Sequence, residues 1–125
     1  MICDTNILIY AAEPGDVLCA PFVENPHAVI ASVTRIEVLG FPGFGKLSEN
    51  RQNKLQEIVA TTIEIPLDGA VITRAITLRQ QKKMSLGDSI IAATALEFDM
   101  PLVTRNTDDF KHLTGLRLIN PFLNS

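Results

Sequence analysis

Four acidic positions of the chain occupy the same kind of place, just after a short apolar run or at the opening of a helix-like pattern. Asp4 follows Met1-Ile2-Cys3 and opens Asp4-Thr5-Asn6-Ile7-Leu8-Ile9-Tyr10. Glu37 follows Ala28-Val29-Ile30-Ala31-Ser32-Val33, Asp88 opens the run Ser89 to Phe98, and Asp108 and Asp109 follow Pro101-Leu102-Val103-Thr104. In an open α/β sheet the carboxyl ends of neighbouring strands share one edge, and ligands bind in the crevice there. Acids far apart in sequence then converge on one oxygen-rich pocket, which suits a hard divalent cation.

The pattern between these positions predicts a parallel α/β sandwich. A short strand through Asp4 leads into a helix at Ile7 to Ala12, which Glu13-Pro14-Gly15-Asp16 breaks. Val17 to Glu24 reads as a second short helix, and the continuously apolar Ala28 to Ser32 as a strand covered on both faces. Val33 to Leu39 is a helix stopped by Gly40 and Pro42; Phe41 to Gly45 is a loop with two exposed phenylalanines. Helices over Ser48 to Ala60, Asp68 to Lys83 and Ser85 to Phe98 follow, with a strand over Thr61 to Ile65. In the helix from Asp68 to Lys83, Val71, Ile72, Ala75, Ile76 and Leu78 are expected to face inward. The helix from Ser85 to Phe98 is apolar nearly all round between Ile90 and Ala95, and so deeply buried. Leu102 to Thr104, Asn106 to His112 and Arg117 to Ile119 close the pattern, and no repeat or linker divides residues 1–125, so one domain is expected.

Composition removes several alternatives. With 46% hydrophobic and 20% charged residues over 125 positions, the chain has enough apolar surface to bury roughly two-thirds of its unfolded area. Its apolar stretches fall short of the ~20 residues that span a bilayer. No basic segment precedes an apolar one at the N-terminus, so a cytoplasmic protein without membrane partners is expected. Cys3 and Cys19 lack metal or redox spacing, and His27 and His112 are isolated, which argues against zinc. A net charge of −3 and pI near 5.3 exclude a general basic nucleic-acid coat but leave room for an acidic pocket neutralised by its ion.

Each acid also has a local explanation as a helix cap. Thr34-Arg35-Ile36-Glu37, Ser85-Leu86-Gly87-Asp88 and Asn106-Thr107-Asp108-Asp109 all have capping-box spacing, and Asp4 fits an N-cap. The surroundings favour a shared pocket instead. A lone carboxylate beside an apolar run is costly unless a cation or several donors compensate it. Thr5 and Asn6 supply groups to orient Asp4, and Gly87 permits a close backbone approach beside Asp88. No stretch matches the phosphate-cradling or serine-nucleophile motifs.

Together, Asp4-Thr5-Asn6-Ile7-Leu8-Ile9-Tyr10, Thr34-Arg35-Ile36-Glu37, Leu86-Gly87-Asp88-Ser89-Ile90-Ile91-Ala92-Ala93-Thr94-Ala95 and Leu102-Val103-Thr104-Arg105-Asn106-Thr107-Asp108-Asp109-Phe110 resemble a PIN domain. The specific resemblance is to the toxin of VapBC-type toxin–antitoxin pairs, and it extends to the ending Gly115-Leu116-Arg117-Leu118-Ile119-Asn120-Pro121-Phe122. It implies a three-layer α/β/α sandwich with a mostly parallel sheet of four to five strands. It also implies a Mg²⁺- or Mn²⁺-dependent endoribonuclease that cuts RNA, pairs with a cognate antitoxin and forms a homodimer. Carried over by position, Asp4, Glu37 and Asp88 match the metal-site acids; for the fourth, Asp109 ranks first and Asn106, where many relatives have Asp, second. Thr5, Asn6, Thr104, Asn106 and Asp108 fall where positioning groups are expected.

Such a site hydrolyses a phosphodiester by in-line attack of water, leaving a 5′-phosphate and a 3′-hydroxyl. No histidine is placed by sequence as a general base. Arg35 and Arg105 stand nearest the acids and are the candidate RNA contacts; Lys82-Lys83 are either phosphate contacts or a solvated helix end. Phe41 to Phe44 either help form a groove for an antitoxin helix or pack on the core. The competing expectation is a PIN-like module that binds a partner and does not cleave, for which Asn106 is the best argument.

Overall fold

The computed structural model describes residues 1–123. Five short strands form one sheet: β1 (Ile2–Cys3), β2 (Val29–Ala31), β3 (Ile63–Ile65), β4 (Leu102–Val103) and β5 (Leu118–Ile119). Their order is β3-β2-β1-β4-β5 and every pairing is parallel. Six helices connect them: α1 (Thr5–Ala11), α2 (Ala20–Val23), α3 (Ser32–Gly40), α4 (Glu49–Thr61), α5 (Gly69–Gln81) and α6 (Leu86–Glu97). The α/β/α sandwich expected from the sequence is the fold of the chain.

Period-2 alternation along the strands sorts the core into two faces. Ile2, Val29, Ala31 and Leu102 join Val71, Ala75 and Leu78 of α5 and the buried body of α6. Cys3, Ile30 and Val103 join Ile7 and Leu8 of α1, Val38 of α3 and Leu55 and Ile58 of α4. The sheet is thus buried on both sides, as its near-continuous apolar strands require. Burial pushes the Cys3 thiol up to about 12, the state of a small core residue rather than a reactive thiolate.

Helix starts follow their capping side chains. Ser48 accepts from the Arg51 amide, Asp68 from Val71 and Ser85 from Asp88, fixing the first turns of α4, α5 and α6. At α3 the expected capping box does not form. β2 runs straight into the helix, extended Ala31 is the N-cap with no side-chain bond, and the helix begins at Ser32. Thr34 is therefore already inside the first turn, and Glu37 is left without a capping role.

Two further expectations change in detail. The second helix covers only Ala20–Val23, because the Asp16 carboxylate accepts from the Cys19 and Ala20 amides and holds residues 17–19 out of it. Ile72 and Ile76 do not face inward: Val71, Ala75 and Leu78 make the buried stripe of α5, and one residue further round the helix Ile72 and Ile76 are exposed. Phe41 and Phe44 meet edge to face, ring centroids 6.0 Å apart, and Phe44 packs against the core under α4. Among the described residues no helix is long and apolar enough to cross a membrane.

Candidate metal and nucleic-acid site

The sheet order places a topological switch between β1 and β4, from which the chain departs to opposite sides, and a crevice is expected beyond the carboxyl ends there. Parallel register aligns Ile2 with Leu102 and Cys3 with Val103. The next residues, Asp4 and Thr104, therefore stand side by side, and the Thr104 hydroxyl donates to Asp4 Oδ2 at 2.6 Å. The other oxygen, Oδ1, accepts from the Asn6 and Ile7 amides at 3.0 and 3.3 Å. Asp4 is thus both the N-cap of α1 and a carboxylate only 5% exposed, with its orientation fixed by three donors.

Thr5 does not orient Asp4. Its hydroxyl donates instead to Glu37 Oε1 at 2.6 Å, joining α1 to α3. The other face of the Glu37 carboxylate lies against Gly87 in the first turn of α6; a Cβ on Gly87 would meet Glu37 Oε2 at 2.9 Å. Asn6 contributes its backbone amide, while its side chain is exposed. Thr104 Oγ1 in turn accepts from the Asn106 amide at 3.1 Å, which fixes the turn that leads to Asp108 and Asp109. Asp108 pairs with Lys111 at 3.0 Å.

The acids feel one another's charge. Burial is the chief cause that raises the Asp88 carboxyl above the ordinary range; the Asp109 charge comes next, a Ser85 hydrogen bond opposes it, and Asp4 and Glu37 add to the rise. The Asp4 carboxyl is likewise raised, first by burial and finally by Glu37, against the hydrogen bonds from Thr104, Ile7 and Asn6. Asp4, Glu37, Asp88 and Asp109 therefore share one electrostatic neighbourhood. Such coupling reaches well beyond ligation distance, and among the described residues no three His, Cys, Asp or Glu side chains close into a metal-holding group. The donor chemistry, all carboxylate and hydroxyl oxygen, fits Mg²⁺ or Mn²⁺ and does not fit a soft metal.

These shifts fix a sign for stability. A carboxyl raised by folding binds more protons in the native than in the unfolded chain, so its contribution is fully present below the unfolded value and is lost as pH rises through the folded one. Metal-free protein is therefore expected to lose stability from Asp4 and Asp88 as pH rises above the ordinary carboxylate range. Asp88→Asn removes part of that loss: thermal melts in EDTA should show a higher Tm at neutral pH and a weaker decline on going up from acidic pH. Identical pH slopes for the two proteins would rule out a desolvated Asp88.

The candidate nucleic-acid contacts separate. The Arg105 guanidinium lies 4.3 Å from the Phe122 ring centroid and 5.4 Å from that of Tyr10. It is exposed and free of any acid partner among the described residues. Arg35 instead makes a two-pronged pair with Glu64 on β3, its Nε 2.7 Å from Oε1 and its Nη2 3.2 Å from Oε2. His112 is the residue that the sequence did not bring forward. It lines a cavity with Asp88, Asp108 and Asp109, and its only sequence signal is a position three residues beyond Asp109 in a helical turn.

Residues 1–116 match the PIN domain family. The fold is similar to a toxin–antitoxin complex from Klebsiella pneumoniae, with a TM-score of 0.79 and 30% identity over 98% of this chain and 98% of that one. It is also similar to VapBC2 from Rickettsia felis bound to a fragment of its promoter DNA (TM-score 0.79, 23% identity, 95% and 96% of the two chains). DNA-bound VapBC from Salmonella typhimurium shares the fold at 19% identity and TM-score 0.79 over 96% of each chain. Comparison with curated protein sequences gives no match.

Proposed function

The chain belongs to the PIN domain family, with the fold of the VapC-type toxins, and from that premise we propose that it is a Mg²⁺- or Mn²⁺-dependent endoribonuclease, a single PIN domain acting as the toxin of a toxin–antitoxin pair. The observation that carries this reading is the contact chain between the acids: Thr5, next to Asp4, donates to Glu37, whose other oxygen lies against Gly87, next to Asp88, and the Asp109 charge acts on Asp88 in turn. These four would hold the ion, with Asn106 the alternative to Asp109. When bound, the ion supplies charge neutralisation at the scissile phosphate and acidifies water.

The chain's own residues do the rest. Thr104 and the Asn6 and Ile7 amides keep Asp4 in one orientation, and Thr5 does the same for Glu37. Asp88, its carboxyl raised by burial and then by the Asp109 charge, is an acid whose negative form a bound cation would favour. Arg105, braced on Phe122 and Tyr10, presents a guanidinium to the RNA backbone. Arg35 reaches RNA only by giving up Glu64.

The partners follow from the same reading. A cognate antitoxin is expected, as in the Klebsiella complex. A second copy of the chain has a face to use: exposed Leu67, Ile72, Ile76 and Leu86 border an apolar groove of about 570 Å³ between α5 and α6. A cytoplasmic location accords with that assignment.

A second reading, a PIN-fold module that binds a partner without cutting RNA, is favoured by one observation: the described acids do not close into a metal-holding group. Incubation of a mixed RNA pool with antitoxin-free protein separates the two. Cleavage in Mg²⁺ or Mn²⁺ that EDTA stops, with 3′-hydroxyl and 5′-phosphate ends, is the expected result. Absence of cleavage together with no metal binding by calorimetry would favour the module.

A further inference from the structure

A cavity of about 480 Å³ adjoins the acids, and Lys82, Lys83, Ser85, Asp88, Asp109 and His112 are among the residues that line it. Of the four candidate metal-site acids it reaches only Asp88 and Asp109, so it lies on one flank of the pocket rather than at its centre. Both ring nitrogens of His112 are buried without a hydrogen-bond partner. A native structure rarely leaves such nitrogens unpaired, and a half-buried imidazole with both of them orphaned at a cavity wall points to something the cavity receives. Lys82 and Lys83 are exposed and form no ion pair among the described residues. The remaining acid of the wall, Asp108, is already balanced by Lys111.

Asp88 and Asp109 line the same cavity and would be neutralised by the ion of the nuclease reading, and Asp108 is paired, which leaves two ammonium groups beside an unpartnered imidazole. That set matches the non-bridging oxygens of a phosphate. No Phe, Tyr or Trp lines the cavity, so it does not offer an aromatic wall for stacking a base. We propose that Lys82, Lys83 and His112 form a subsite for a backbone phosphate of single-stranded RNA adjacent to the phosphodiester that is cut. The subsite rests on the nuclease reading and extends it: it sets which way the strand crosses the acids, a positioning role that protein groups on phosphates commonly fill.

The test measures binding of a mixed-sequence single-stranded RNA pool in Mg²⁺ by fluorescence anisotropy, over a series of salt concentrations. The protein carries Asp4→Asn so that bound RNA stays whole, with and without Lys82→Gln plus Lys83→Gln, or His112→Asn. Loss of the subsite should raise Kd in both variants. For the lysine pair it should also flatten the dependence of log Kd on log salt by roughly 0.7 for each phosphate no longer neutralised. In protein with Asp4 intact, KM for cleavage should rise while kcat holds, because the phosphate is held equally before and during reaction. The lysines are exposed, so their replacement leaves the fold intact even where His112→Asn does not. Cleaving protein whose Kd and salt slope ignore the lysine substitutions overturns the subsite alone. A fall in kcat at constant KM also overturns it, because it would place His112 in the chemistry instead. Protein that neither cleaves nor binds RNA overturns the subsite together with the nuclease reading.

Discussion

Asp4→Asn should remove RNA cleavage with little loss of fold. Asparagine keeps an oxygen for the Asn6 and Ile7 amides, so the cap of α1 survives, and its amide nitrogen can donate to Thr104 Oγ1. What disappears is a charge that burial already disfavours, since the Asp4 carboxyl is held above its ordinary range. Loss of mere outer partners of metal ligands costs about 10–100-fold in activity. Loss of Asp4, the most buried of the proposed ligands, should cost at least that much in kcat/KM. The measurement pairs cleavage rates with thermal melts of both proteins in EDTA. Wild-type rates in the variant would dismiss Asp4 as a ligand; a collapsed Tm would mean that the carboxylate is structural.

Gly87→Ala should separate the site from the fold more sharply. Gly87 lies in the first turn of α6, where alanine is the better helix former by up to about 1 kcal/mol. The new Cβ would stand 2.9 Å from Glu37 Oε2 and 3.3 Å from Glu37 Cδ and Oε1. Those atoms are the far end of a flexible side chain, so the clash is relieved by moving the carboxylate rather than the backbone. Stability should hold or rise slightly, while Glu37 loses the position that Thr5 gives it. Cleavage and Mn²⁺ affinity are both expected to fall, activity by about 10–100-fold, as for a disturbed supporting group. Chemical denaturation beside a cleavage assay decides it: unchanged cleavage with unchanged stability would show that Glu37 is free to sit elsewhere without cost.

Both predictions join residues that the sequence marks separately but does not connect. Gly87 is legible as a close approach beside Asp88, yet the group it admits is Glu37, some fifty positions earlier. Thr34 to Glu37 carries a capping-box spacing that produces no box. Helix caps are read on the assumption that a loop precedes the helix, whereas β2 passes directly into α3. Arg35 stands two residues from Glu37 in sequence but is drawn to Glu64, because β3 lies beside β2. His112 is isolated in sequence; only the turn after β4 brings it to the wall that Asp88 shares.

Local order, by contrast, is set by the chain. Short apolar runs followed by helical periodicity fix where strands end and helices begin, and hence which end of the sheet carries Asp4, Glu37 and Asp109; Asp88 opens a helix that follows another helix, so its place needs the packing of α6. This much follows from periods of 2 and 3.6 and from the right-handed crossover of parallel strands. Strand order and register are another matter, because they depend on packing among segments up to a hundred residues apart. The bond from Thr104 to Asp4 spans 100 positions and exists because β1 and β4 pair with Ile2 opposite Leu102. The sequence by itself determined that Asp4, Glu37 and Asp109 follow strands of one parallel sheet; the tertiary structure decided that Asp88 joins them and what holds each acid there, since those partners meet only once the two faces of the sheet are packed.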